Sequence, residues 1–165
     1  MAVTTQYSTE YNQLYVTVPS SNVNTTELHG RVRCAFVTCL QSGAGDATSS
    51  FALFKLPPGR VRLLLSLSRA YVNWTTGSAT LDLGWDAYTN MSGATVVADP
   101  DGLVDGLDVD TVGFRTFEGA VAANLLTGST YLFESKSGVV IRATSQDTAI
   151  ATGDDLVGCF FYVVD

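Results

Sequence analysis

Residues 79–88 read Ala79-Thr80-Leu81-Asp82-Leu83-Gly84-Trp85-Asp86-Ala87-Tyr88. Leu81, Leu83 and Trp85 stand two apart with Asp82, Gly84 and Asp86 between them, the period of a strand that buries one face and wets the other. Arg31-Val32-Arg33-Cys34-Ala35-Phe36 repeats the alternation, the arginines on one side and Val32, Cys34 and Phe36 on the side expected to face the core. Leu63-Leu64-Leu65 and Cys159-Phe160-Phe161-Tyr162-Val163-Val164 scarcely alternate, which suits strands covered on both faces.

Strand-like segments cover residues 31–40, 50–56, 60–73, 79–88, 129–135, 138–144 and 155–164. Turn-forming stretches separate them: SGAGD (42–46), PPG (57–59), TTGS (75–78), KSG (136–138) and TGDD (152–155). Short strands at this spacing predict an all-β domain, a jelly-roll or Greek-key antiparallel β-sandwich. Residues 1–29, rich in Thr, Ser, Asn, Gln and Tyr, read as an extended N-terminal arm with one short strand from Tyr11 to Val18, ended by Pro19. Residues 30–165 then form a single sandwich domain. The alanine-rich stretch Glu118–Leu126 reads as a short helical connection.

The chain has 165 residues, 46% hydrophobic and 15% charged, enough for one core without disulfide staples. Its net charge of −7 is concentrated: Asp99, Asp101, Asp105, Asp108 and Asp110 lie in ADPDGLVDGLDVDT (98–111), and the other 11 acids nearly balance 9 bases. General nucleic-acid binding, which needs clustered Lys and Arg, is disfavoured. No run is long and apolar enough for a membrane span, and the start has no basic end followed by an apolar run, so neither membrane nor secretory signal is expected. Cys34, Cys39 and Cys159 fall in strand-like runs and read as buried free thiols.

The five aspartates are calcium candidates because hard cations take carboxylate oxygen. An EF-hand spacing fails. With Asp99 and Asp101 as the first two ligands, Leu103 takes the third ligand place, Val104 the place of the obligatory glycine, and Asp110 the closing acid. The plainer reading is an exposed acidic connection between strands, so no metal and no cofactor is expected. Catalysis is equally unsupported: His29 is the only histidine, sits at the edge of the arm, and no nucleophile elbow or phosphate loop is present. Arg60 and Arg62 share one strand face; the plainer reading is an ordinary solvated edge, and the alternative is a basic strand that meets the acidic loop of another subunit. Trp74, next to a turn, is the better surface aromatic, and Trp85 the better core one.

Residues 56–62 (LPPGRVR), 69–74 (RAYVNW), 79–88 (ATLDLGWDAY) and 139–147 (VVIRATSQD) together resemble the head decoration, or cement, proteins of tailed bacteriophages. The resemblance spans roughly residues 45–165 and carries no residue roles. It implies a non-enzymatic virion protein that binds the outer capsid surface and stabilises the head by bridging subunits. The implied partners are the major capsid protein and further copies of itself, as dimer or trimer, with synthesis in the host cytoplasm. Physically, an extended arm adds a strand to a neighbour's sheet edge, which nominates Tyr11, Leu14, Tyr15 and Val16, with Arg60 and Arg62, as partner-binding residues. The alternative is a carbohydrate- or receptor-binding β-sandwich of a virion, calcium-dependent if the aspartates hold an ion.

Overall fold

The computed structural model describes Val18, residues 31–117 and residues 129–164. The remainder of the expected arm, with Tyr11, Leu14, Tyr15, Val16 and His29, and the expected helical connection at Glu118–Leu126 lie outside the described residues. Every regular element among the described residues is a strand: β1 (Arg31–Leu40), β2 (Ser50–Leu56), β3 (Gly59–Asn73), β4 (Thr80–Trp85), β5 (Tyr88–Thr89), β6 (Thr95–Val96), β7 (Asp99–Asp108), β8 (Gly113–Thr116), β9 (Thr130–Ser135), β10 (Val139–Ser145) and β11 (Asp155–Val164).

The strands form two antiparallel sheets. One runs β1-β11-β3, and the far edge of β3 is shared by β9 along residues 59–64 and β8 along residues 69–72. The other runs β2-β10-β4-β7, and β5 with β6 makes a small separate ribbon. Taking β8 and β9 as two halves of one position, the first sheet holds strand positions one, eight, three and six, and the second holds two, seven, four and five. That interleaving is the jelly roll, wound from two Greek keys.

The inner faces of both sheets meet in one core that includes Leu63, Leu65, Leu81, Leu83, Ile141 and Phe160, each fully buried. Phe160 packs against Phe54 and Phe117 with ring centroids 5.1 and 5.2 Å away. Trp85 is core, as its alternation predicts, but so is Trp74, at 1% exposure. The turn after β3 carries Trp74 inward, where its ring lies 6.5 Å from that of Phe51.

Two strands carry bulges that the sequence pattern conceals. Between Leu64 and Arg69, β3 has three more residues than the segment of β11 it faces. The Ser68 hydroxyl closes the gap, donating to the Leu64 carbonyl at 2.8 Å and accepting from the Phe161 amide at 3.0 Å. The bulge shifts the inward set from Val61, Leu63 and Leu65 to Ala70 and Val72. The second bulged strand is β7, where an acidic connection was expected. Its ten residues oppose six of β4, with register shifts on both sides of the Leu83–Val104 pair. Leu103 and Val104 are consecutive and both buried, as the bulge between them and the flanking pairs allows. At Gly84 the two strands come so close that a Cβ would stand 1.9 Å from the Asp99 carbonyl, so glycine is required. As a charged, proline-containing, bulged edge strand, β7 offers a poor template for pairing with another chain.

In β1 the alternation holds but its direction is reversed. Val37 is buried and Cys39 packs on the core, whereas Val32 and Phe36 are exposed, Phe36 at 84%. Arg31 and Arg33 share the inward register yet remain exposed at the start of this edge strand. The small side chains of its second half, not the bulky ones, fit against the opposite sheet.

Candidate functional site

The outer face of the β2-β10-β4-β7 sheet is polar. Cross-strand register aligns Ser50, Thr144 and Asp82 in one row and Ala52, Arg142 and Gly84 in the next. Arg142 is bound bidentately by Asp86, with Nε to Oδ1 and Nη2 to Oδ2 both 2.7 Å, while its Nη1 donates to Ser50 Oγ at 3.1 Å. The Arg142 hydrogen bond holds the Asp86 carboxyl below its ordinary range, and Asp86 raises Arg142 in return. A groove of about 450 Å³ runs over this face, lined by residues including Thr48, Ser50, Asp82, Asp101, Thr144 and Gln146.

Two carboxylates therefore line one groove, the arrangement a paired-acid hydrolase requires. The environment of Asp82 argues for anchoring instead. Asp82 is 3% exposed, and its Oδ1 accepts from the Gly106 amide at 2.8 Å, which pins the β7 bulge. With its amide nitrogen turned toward Asp82, Gln146 donates to Oδ1 at 3.1 Å and Oδ2 at 2.8 Å. Burial pushes the Asp82 carboxyl upward against the effect of the Gly106 bond, and the charges of Asp105, Asp101 and Asp147 add to the rise. Asp99 is also raised, first by its hydrogen bond with Asp101 and then by burial.

The five calcium candidates are spread along and beyond β7, with Asp108 and Asp110 exposed. Among the described residues no group of three His, Cys, Asp or Glu side chains is disposed to hold a metal ion. Asp154, in the TGDD turn, is buried and structural: it accepts from the Thr75 amide and hydroxyl through Oδ1 and from the Ala151 amide through Oδ2.

The outer face of the β1-β11-β3-β8 sheet has the opposite character. Register places Thr38, Val157, Tyr71 and Phe114 in one row across four strands, and Phe36, Cys159, Arg69 and Thr116 in the next. Phe36 and Phe114 are 84% and 76% exposed, with Val157 and Tyr71 also open to solvent. Tyr71 and Phe114 meet edge to face at 5.4 Å. Around them lies a shallow depression of about 220 Å³, floored by Gly158 and Cys159. Cys34, Cys39 and Cys159 are free thiols, half-buried rather than buried. Burial raises Cys34 and Cys39, and Cys34 is raised further by its contact with Cys159.

Arg60 and Arg62 do share the outer face of this sheet, as their spacing predicts. Arg60 pairs with Glu134 of its own chain, Nε to Oε1 at 2.9 Å, and Arg62 donates to Thr130 Oγ1 at 3.3 Å. Sequence reasoning missed the apolar face because it directed Phe36 inward and assigned no strand to Phe114. The isolated Gly113-Phe114-Arg115-Thr116 stretch was the available signal, too short to show a period.

No family model matches the chain, and no curated protein matches it. Among solved structures, a chain of the infectious bursal disease virus Gt strain is similar over 83% of this chain, at 10% identity and a TM-score of 0.47. A chain of the cyanophage Pam1 capsid asymmetric unit is similar over 84%, at 13% identity and a TM-score of 0.43. A third, from the infectious bursal disease virus VP2 subviral particle, is similar over 82%, at 10% identity and a TM-score of 0.37. This chain spans 33%, 88% and 42% of their respective lengths. The jelly-roll assignment rests on the strand order itself.

Proposed function

We propose that this chain is a non-enzymatic virion structural protein of the decoration kind. It binds the outer surface of an assembled capsid, with the major capsid protein and further copies of itself as partners, and stabilises the head by bridging subunits. In this reading residues 1–29 are the reaching arm and residues 30–165 the sandwich domain, and Tyr11, Leu14, Tyr15 and Val16 are partner-binding residues. Arg60 and Arg62 border the contact surface.

The observation that carries the reading is the apolar outer face at Phe36, Tyr71, Phe114 and Val157. A jelly roll is a common architecture of capsid proteins and of lectins, and a contiguous aromatic patch on one sheet suits association better than catalysis. A protein that binds only the closed shell stabilises it by mass action, since opening the shell also costs the bound contacts. Co-sedimentation of the purified chain with empty capsids tests this. Pelleting with capsids is expected, and a chain that stays in the supernatant at saturating concentration overturns the reading.

A second reading, glycan or receptor binding, is favoured by the polar groove beside Arg142 and Thr144. It cannot use Trp74 as a stacking platform, because that ring is buried. Glycan binding that disappears in Thr144→Trp would support it.

A further inference from the structure

The apolar face has an asymmetry that constrains what covers it. Arg69 stands within it, exposed, between Cys159 on β11 and Thr116 on β8, and no acidic partner is found for it among the described residues. A second copy packed face to face about a two-fold axis beside Arg69 would set Arg69 against Arg69, a like-charge contact that disfavours that arrangement. The occupant should therefore be chiefly apolar and carry one carboxylate. The β7 strand of another copy does not qualify, since burying its closely spaced aspartates against a single arginine would leave charges unpaired.

One segment of this chain has the required composition. Residues 10–18 read Glu10-Tyr11-Asn12-Gln13-Leu14-Tyr15-Val16-Thr17-Val18: one acid, then three aliphatic and two tyrosine side chains, and no further charge. Fully extended, nine residues span roughly 30 Å, while the four strands from β1 to β8 are about 14 Å across, so the segment is long enough to cross the face. Val18, at its end, is 92% exposed, and Phe36 and Phe114 are exposed in the same single chain. Because the Phe36 and Phe114 face stays open within the single chain, its cover is sought in a neighbouring copy.

We propose that residues 10–18 of one copy lie across the Phe36, Tyr71, Phe114 and Val157 face of the next, with Glu10 paired to Arg69. The inference rests on the capsid reading and names the contact by which adjacent copies are linked. The contact is head to tail, so each copy gives an arm and receives one, and whether the chain of contacts closes into a ring is decided by the surface beneath.

Two measurements on the full-length protein test it. With Phe114 replaced by p-benzoylphenylalanine, illumination should yield a cross-linked product between chains whose tryptic map joins position 114 to residues 10–18. A product only within one chain, or one joined to any other segment, overturns the proposal. Phe114 sits on β8, across the sheet from the β1 edge, so an arm that merely extends that edge would not be captured. In sedimentation velocity, Arg69→Glu and Glu10→Lys should each weaken self-association by about tenfold or more, and the double variant should recover most of the loss. Two losses that simply add contradict the pairing. Co-sedimentation of the unaltered chain separates this outcome from the broader reading. Capsid binding without self-association overturns the arm contact alone, and self-association without capsid binding overturns the capsid role alone.

Discussion

The two sheets share one core yet present opposite outer faces. On the β2-β10-β4-β7 side two charged groups of the sheet are matched or anchored: Arg142 by Asp86 and Ser50, Asp82 by Gly106 and Gln146. On the β1-β11-β3-β8 side Phe36 and Phe114 stand in solvent beside Arg69, which has no acidic partner among the described residues. A face whose polar groups find partners within the chain contributes to folding. A face that leaves large apolar groups exposed gains nothing from folding, and its cost is recovered only by association. The contrast makes the molecule one-sided, with substitutions on the first face expected to alter stability and those on the second to alter assembly.

Substitutions and a pH titration test that division, in descending order of effect on folding. Gly84→Ala on the polar side forces a Cβ into the β7 backbone and should cost about 3 kcal/mol. Chemical denaturation measures this, and a loss below half that value would show that β7 yields easily. Arg142→Ala removes the bidentate pair and the Ser50 bond. Because both partners are about a third exposed, solvent screening limits the loss to about 1 kcal/mol.

The acid side of the pH profile comes next. Asp86, lowered in the fold, contributes stability that is present above the ordinary carboxylate pKa and lost as pH falls through its folded value. Asp82 and Asp99, raised in the fold, act the other way: their charged forms weaken the fold near neutrality, and protonation relieves it. Stability should therefore rise as pH falls from neutrality through the raised folded pKa values of Asp82 and Asp99, and decline as pH falls further, from the ordinary carboxylate pKa through the lowered value of Asp86. Asp82→Asn, which keeps an acceptor for the Gly106 amide, should flatten the rise. Thermal unfolding across pH checks the shape, and an unchanged rise in the variant would exclude Asp82 as its source. The smallest effect is expected on the apolar side. Phe36→Ser and Phe114→Ser should each change folding stability by about 0.5 kcal/mol or less, whereas dye binding to exposed apolar surface should fall.

Legibility in the sequence followed the same division. The closing strand Asp155–Val164 and the alternating Thr80–Trp85 were readable because their side chains answer mainly to burial. In β7 the residues that make a bulge and an edge, Asp99-Pro100-Asp101-Gly102 and Asp105-Gly106, are those that elsewhere make a loop. The direction of β1 was unreadable because alternation gives two faces without saying which one has an opposing sheet. The outer faces were least legible of all. Arg142 and Asp86 are 56 residues apart in sequence, and the row from Thr38 to Phe114 exists only once four strands are in register.

The most direct test is the heat resistance of capsids bearing either the unaltered chain or the Phe36→Ser, Phe114→Ser double variant. The account predicts that the unaltered chain raises the temperature at which capsids release their contents, and that the variant, folded and equally stable in isolation, does not. No gain with the unaltered chain, or an equal gain with the variant, would contradict it.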